Sequence, residues 1–117
     1  MIVTLKRELA GSDVSHPSSL RPGVEYPVLE VYAEMNGDNF FRVESGSGNP
    51  AMFGSRFFEV QSRRMPECWI LRIIEPGSVL IQPAAWSRQG FWESFFDGEQ
   101  NARDLYVRWR EEVILGS

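Results

Sequence analysis

The sequence predicts an α+β protein in which about five to six short antiparallel strands precede two helices. Short alternating apolar segments, separated by turn sequences such as Arg21-Pro-Gly23 and Asn36-Gly37, continue to about residue 83. From residue 90 the apolar spacing changes to that of amphipathic helices. We therefore expect one domain over residues 1–117, with strands within 2–83 and helices within 90–115 packed on one side of the sheet.

Composition narrows the functional classes. With 117 residues, 43% of them hydrophobic and 13% aromatic, the chain suits one globular domain with a single core. One cysteine, Cys68, rules out an internal disulfide, and one histidine plus one cysteine is too few for a zinc site. A nucleophilic pair of Cys68 and His16 is disfavoured, because Cys68 lies in a strand-like segment and His16 in a polar loop. We expect no metal, no cofactor and no enzymatic activity.

Charge distribution argues against nucleic acid as a partner. Between residues 25 and 45 five acids stand against one arginine, Arg42, and this excess equals the net charge of −4 of the whole chain. Such a region repels nucleic acid and favours encounter with a basic protein. The sequence contains no apolar run of about 18 residues and no signal-peptide pattern, so we expect a soluble, cytoplasmic protein without a membrane partner.

The first strands carry most of these acids. Ile2–Arg7 predicts a strand with Val3 and Leu5 facing inward. The alternation from Tyr26 to Glu34 places two sets of side chains on opposite faces: Leu29, Val31 and Ala33 on one, and Tyr26, Val28, Glu30, Tyr32 and Glu34 on the other. Asn36-Gly37 predicts a type I′ turn into residues 39–44. Glu30, Glu34 and Glu44 then share one surface if the register allows it.

Three further strands are predicted over residues 56–61, 68–74 and 79–82. The last two form a hairpin through a Pro76-Gly77 type II turn. Their nearly continuous apolar content predicts coverage of both faces, one by the interior and one by an aromatic helix. The loop Gly46–Pro50 lacks the further glycines, the lysine and the following helix that phosphate-binding motifs require.

Two helices complete the pattern. Residues 90–97 place Phe91, Trp92, Phe95 and Phe96 on one half and Glu93, Ser94 and Asp97 on the other. Asp97 is the expected N-cap of a second helix that ends at Gly116. Its buried stripe is Ala102, Leu105, Tyr106, Trp109 and Val113. Val107 and Ile114 lie off that stripe, and they either widen the buried face or contact a partner.

The turn and aromatic positions carry a resemblance as well. The segment Leu20–Val28 followed by a hairpin looks like the entry to an SH3-like barrel, as an alternative to a strongly bent sheet. From about residue 20 to 110 the pattern resembles small immunity proteins encoded beside bacterial polymorphic toxins, including those of contact-dependent growth inhibition. The matching residues are Leu20, Gly23, Tyr26-Pro-Val28, Phe41-Arg-Val43, Phe57-Phe-Glu-Val60, Pro66, Trp69 and Gly90-Phe-Trp-Glu-Ser-Phe-Phe-Asp-Gly98.

The resemblance implies a non-enzymatic inhibitor that binds the toxin domain of its own locus, blocking the active site or substrate access. The expected partner is a basic toxin domain, in particular a nuclease. Charge and exposure reasoning selects the interface candidates: the acids Glu30, Glu34, Asp38, Glu44, Glu93, Asp97 and Asp104, with Trp86 as an exposed aromatic anchor. A general protein- or peptide-binding module on an SH3-like barrel is the alternative. The oligomeric state is left open.

Overall fold

The computed structural model describes residues 1–7 and 17–117. In chain order the strands are β1 (Ile2–Leu5), β2 (Glu25–Pro27), β3 (Glu30–Ala33), β4 (Asn39–Glu44), β5 (Pro50–Gly54), β6 (Phe58–Ser62), β7 (Trp69–Ile74) and β8 (Ser78–Pro83). Two helices follow, α1 (Phe91–Phe96) and α2 (Gln100–Leu115). One-turn 3₁₀ segments lie at Ser55–Phe57 and Ala84–Trp86. The histidine His16 lies outside the described residues.

The strands form two antiparallel sheets. One has the order β2-β1-β6 and the other the order β5-β4-β3-β8-β7. The α+β class and the two C-terminal helices are confirmed. The described strands outnumber the expected five or six for two reasons. The segment from Tyr26 to Glu34 divides into β2 and β3, and β5 begins at Pro50, where glycine, asparagine and proline had indicated a loop.

The core lies between the sheets and beneath the helices. Val3 and Leu5 of β1 face inward as predicted. Phe41 of the larger sheet meets Phe58 of the smaller, with ring centroids 6.0 Å apart. Phe91 and Phe95 of α1 and three residues of α2 complete the core: Ala102, Tyr106 and Val113.

The hairpin between β3 and β4 is confirmed, but its turn is not type I′. The Glu34 N–H donates to the Asp38 carbonyl, and the Gly37 N–H donates to the Glu34 carbonyl. These bonds enclose a three-residue loop of Met35, Asn36 and Gly37. A type I′ turn needs two residues at positive φ, and within this loop only Gly37, with a φ of 108°, has one.

The hairpin between β7 and β8 is also present, with Ile74 opposite Ser78. Its turn is not type II, because the Gly77 N–H donates to the Ile74 carbonyl and Pro76 therefore occupies the third turn position. The prediction that both faces are covered is wrong. β7 is the outer strand of its sheet, and Leu71 and Ile73 are 61% and 74% exposed.

Two features of the helices differ from the sequence pattern. Phe96 is 49% exposed, although the aromatic half of α1 was expected to be buried. Asp97 follows the last residue of α1, and Glu99 precedes α2 without capping it through its side chain. Gly98, at a φ of 83°, separates the helices, and α2 begins after it. Asp97 is therefore not the N-cap that the sequence predicted. Val107 and Ile114 are exposed and do not belong to the buried face.

Candidate functional site

Glu30 lies beneath α1 and not on the surface. The register of β3 and β4 pairs Glu30 with Arg42, on the sheet face that α1 covers. Only 2% of Glu30 is exposed. Its carboxylate accepts hydrogen bonds from Arg42 Nε at 3.3 Å, Gln82 Nε2 at 2.7 Å and Trp92 Nε1 at 3.1 Å. The prediction that Glu30 belongs to an acidic partner surface is therefore wrong.

The buried pair of Glu30 and Arg42 has a structural role. Arg42 also donates through Nη1 to the Pro50 carbonyl at 3.0 Å, and its guanidinium carbon lies 3.9 Å from the centre of the Trp92 ring. Burial raises the pKa of Glu30, against the opposing effects of Arg42 and the Trp92 hydrogen bond. Burial also lowers the pKa of Arg42, against the opposing effect of Glu30. Desolvation is the largest effect on both groups, as is typical of buried ion pairs.

Glu44 is also occupied by internal partners. Its carboxylate accepts hydrogen bonds from the Tyr106 hydroxyl and from Arg110, with Nε at 2.6 Å and Nη2 at 3.2 Å. Burial, followed by the hydrogen bond to Glu44, raises the pKa of Tyr106. These contacts join β4 to α2. Glu44 therefore does not extend an open acidic surface, contrary to the sequence prediction.

Trp86 is not the exposed anchor that the sequence suggested, since only 1% of it is exposed. The 3₁₀ turn after β8 directs its ring toward the helices. The ring stacks on Phe91 and Tyr106 at centroid distances of 6.3 and 5.5 Å. Its Nε1 donates to the Leu105 carbonyl at 3.2 Å. Trp86 therefore packs the helices against the sheet.

The other five candidate acids are exposed, in two places. Glu34 and Asp38 flank the loop at the tip of the β3–β4 hairpin. Glu93, Asp97 and Asp104 belong to the helical part, where Asp104 accepts a hydrogen bond from Gln100 Nε2 at 2.8 Å. The hairpin tip thus retains exposed acids, whereas Glu30 and Glu44 on its strands do not contribute.

An apolar strand edge adjoins this hairpin tip. Ala33, Val79 and Ile73 stand opposite one another on three neighbouring strands, which places Ala33 and Ile73 about 10 Å apart. The two turns also meet, because a Cβ built on Gly77 would lie 3.2 Å from the Met35 sulfur. We name six of the exposed residues along this edge and tip the β7 surface: Glu34, Met35, Asp38, Leu71, Ile73 and Glu75.

Sequence reasoning missed the apolar half of the β7 surface. A continuous apolar run is typical of a strand covered on both faces, and a single sequence does not reveal which strand is outermost. One signal was available. The apolar run from Trp69 to Ile74 contains the charged Arg72, and charged side chains are more usual on an edge strand than on a strand covered on both faces.

A cavity of about 470 Å³ lies on the opposite face of β7 and β8. Its lining includes the buried Glu30 and Gln82, the aromatic residues Phe91 and Trp92, and the charged residues Arg72, Arg88 and Glu93. The side-chain oxygen of Gln82 is buried and has no hydrogen-bond partner among the described residues. This cavity, like the β7 surface, is open to another molecule.

Within the described part of the chain, no group of three or more histidine, cysteine, aspartate and glutamate side chains is arranged to hold a metal ion. None of the helices described has the length and apolar character needed to cross a membrane. Comparison of the chain with protein-family models, curated proteins and solved structures finds no match.

Proposed function

We propose that this protein is an immunity protein that neutralises a cognate bacterial toxin domain by binding it and blocking its active site or substrate access. The β7 surface carries the proposal, because it joins an apolar strand edge, which no described strand pairs, to exposed acids. Leu71 and Ile73 offer apolar area beside backbone groups that a partner strand can pair with. Glu34, Asp38 and Glu75 add negative charge at the same end of the sheet.

The chemistry of this surface selects the partner. An incoming strand gains main-chain hydrogen bonds along β7, and apolar side chains beside it bury Leu71 and Ile73. Basic side chains at the end of that strand meet the acids of the hairpin tip, which speeds association. A nuclease toxin has the basic surface that nucleic-acid binding requires, so it fits this partner. The resemblance noted in the sequence agrees with this function.

The proposed action is binding without catalysis. Among the described buried charges, Glu30 and Arg42 are paired with each other. Glu44, Tyr106 and Arg110 form a second internal network. Each network links a strand to a helix or to another strand, so these ionisable groups stabilise the domain.

The experiment is co-expression of the full chain with the C-terminal domain of the protein encoded by the adjacent upstream gene, where the proposal expects a toxin. Growth rescue together with co-purification of the two proteins supports the proposal. A Leu71→Lys/Ile73→Lys variant should lose both, whereas a Val107→Lys/Ile114→Lys variant, altered on exposed apolar positions of α2, should keep both. Continued rescue by the β7 variant would remove the observation on which the proposal rests.

The exposed edge also supports the alternative function, a protein- or peptide-binding module, to which the SH3-like barrel expectation belongs. An extended peptide can add to β7 without any toxin being involved. Binding of unrelated extended peptides as tightly as the toxin domain, without growth rescue, would favour this alternative. Binding restricted to the folded toxin domain favours the immunity function.

A further inference from the structure

The cavity beside α1 has an inner end of hydrogen-bond acceptors. Glu30 and Gln82 form this end and are each 2% exposed. Gln82 Nε2 donates to the Glu30 carboxylate at 2.7 Å and to the Trp86 carbonyl at 3.2 Å. The Gln82 Oε1 atom receives no hydrogen bond from a described residue. A buried amide oxygen without a donor is unusual, and a ligand N–H or O–H would complete it.

The outer end of the same cavity is cationic. Arg72 lines it and holds its position through a 3.0 Å hydrogen bond from Nη1 to the Ser87 carbonyl. Arg88, which is exposed, and Glu93 also line the cavity, so these three exposed or half-exposed groups carry one net positive charge. A singly charged carboxylate matches this balance better than a doubly charged phosphate does, and guanidinium groups bind carboxylates well.

The spacing and the walls define the shape of a ligand. Arg72 stands opposite Leu80, two positions from Gln82 on the neighbouring strand, so the backbones of Arg72 and Gln82 are about 7–8 Å apart on one sheet face. One substituted ring can cross this span. Phe91 and Trp92 provide aromatic walls, and the volume of about 470 Å³ is within the range of small-molecule sites.

We propose that this cavity binds a small planar molecule with a hydrogen-bond donor at one end, directed at Gln82, and a single carboxylate at the other, directed at Arg72 and Arg88. Aromatic amino- or hydroxycarboxylates belong to this class. The site is separate from the apolar part of the proposed toxin interface, because strand alternation puts Arg72 on the opposite face of β7 from Leu71 and Ile73. It can therefore be tested on the full chain without a toxin.

The test uses 4-aminobenzoate, benzoate and aniline as matched probes, with the tryptophan indole N–H signals followed by two-dimensional NMR. We expect 4-aminobenzoate to shift the signals of Trp86 and Trp92, which line the cavity, and to leave that of Trp109 in place. It should bind roughly tenfold more tightly than benzoate, which lacks the donor, and than aniline, which lacks the carboxylate.

Two arginine variants locate the carboxylate. Arg88→Ala should weaken the binding of 4-aminobenzoate and of benzoate by roughly the same factor and leave the affinity for aniline unchanged. Arg63→Ala, which removes an exposed arginine outside the cavity, should change none of the three. Both variants are at exposed positions and should fold. Absence of any indole shift, equal affinity for all three probes, or an Arg88→Ala effect on aniline equal to that on 4-aminobenzoate would overturn the proposal.

Discussion

The Glu30 carboxylate on β3 accepts a hydrogen bond from the Trp92 indole on α1 at 3.1 Å, across 62 positions of sequence. This bond ties the aromatic helix to the centre of the five-stranded sheet. Arg42 belongs to the same cluster, since it pairs with Glu30 and lies over the Trp92 ring. An acid that the sequence pattern assigned to a partner surface therefore holds the two layers together.

Trp92→Phe tests this bond directly. The variant keeps an aromatic ring but removes the donor, and we expect the free energy of unfolding to fall by about 1.5–3 kcal/mol, as for hydrogen bonds to charged groups. Trp69→Phe is the matched control, because the buried Trp69 Nε1 has no hydrogen-bond partner among the described residues. Urea denaturation measures both losses. A Trp69→Phe loss as large as that of Trp92→Phe would show that ring volume, and not the hydrogen bond, is responsible.

The Glu30–Arg42 pair should behave as a coupled unit. Glu30→Met leaves the buried Arg42 guanidinium without its carboxylate, and Arg42→Met leaves the buried Glu30 carboxylate without its guanidinium. Each single change should therefore lower the free energy of unfolding by about 3–5 kcal/mol. The double variant should cost clearly less than the sum, because neither charge is then left unpaired. Denaturation of the four proteins completes the cycle. Strict additivity of the two losses would contradict the coupling.

Tyr106 should make stability depend on alkaline pH. Its pKa is raised in the folded protein by burial and then by Glu44, so the unfolded chain loses this proton first, near pH 10. The stabilisation that the protonated Tyr106 hydroxyl gives the folded protein is therefore complete below about pH 10. As the pH rises further, the free energy of unfolding falls by about 1.4 kcal/mol per pH unit.

Tyr106→Phe removes that titration. At pH 7 this variant should lose about 1.5–3 kcal/mol of its free energy of unfolding, because the Tyr106 hydroxyl donates a hydrogen bond to the Glu44 carboxylate. The difference from the unaltered protein should narrow between pH 10 and 11, as measured by denaturation at each pH. A difference that stays constant over this interval would show that Tyr106 has the same pKa in both states.

Gly37 should be sensitive to a single methyl group even though the space around it is open. No heavy atom lies within 4 Å of a Cβ built there, yet its φ of 108° is unfavourable for any L-residue with a side chain. Gly37→Ala should therefore lower the free energy of unfolding by about 1–2 kcal/mol. Gly46→Ala is the control, since its surroundings are equally open and its φ is not positive. We expect Gly46→Ala to be neutral or stabilising in thermal denaturation.

Charge reversal at the hairpin tip should slow association with the proposed toxin. Glu34→Lys/Asp38→Lys should reduce the association rate by roughly tenfold at low salt, and the reduction should shrink as ionic strength rises. Glu59→Lys/Glu67→Lys makes the same charge change at exposed acids outside the β7 surface and should have a smaller effect. Surface plasmon resonance gives the rates. Equal effects of the two variants would assign the steering to net charge and not to the hairpin tip.

Local patterns were enough for some parts of the fold. Val3 and Leu5 share the buried face of β1 as predicted, because alternation along a strand places residues two positions apart on the same side. The tight loop ending at Gly37 and the buried Phe91 and Phe95 of α1 also agree with their sequence signals. The candidate site was less accessible to this reasoning. Five candidate acids are exposed as expected: Glu34, Asp38, Glu93, Asp97 and Asp104. The packing of the strands and helices decided the burial of Glu30 and Trp86 and the exposure of Leu71 and Ile73.

The sequence by itself determined which residues share a face of each strand or helix, because those periods follow from backbone geometry. Only the tertiary structure decided which face is covered. Glu30 and Trp86 are buried because α1 and α2 pack over them, and Leu71 and Ile73 are exposed because β7 is outermost. Each outcome depends on contacts between segments far apart in the chain, which a local pattern does not encode.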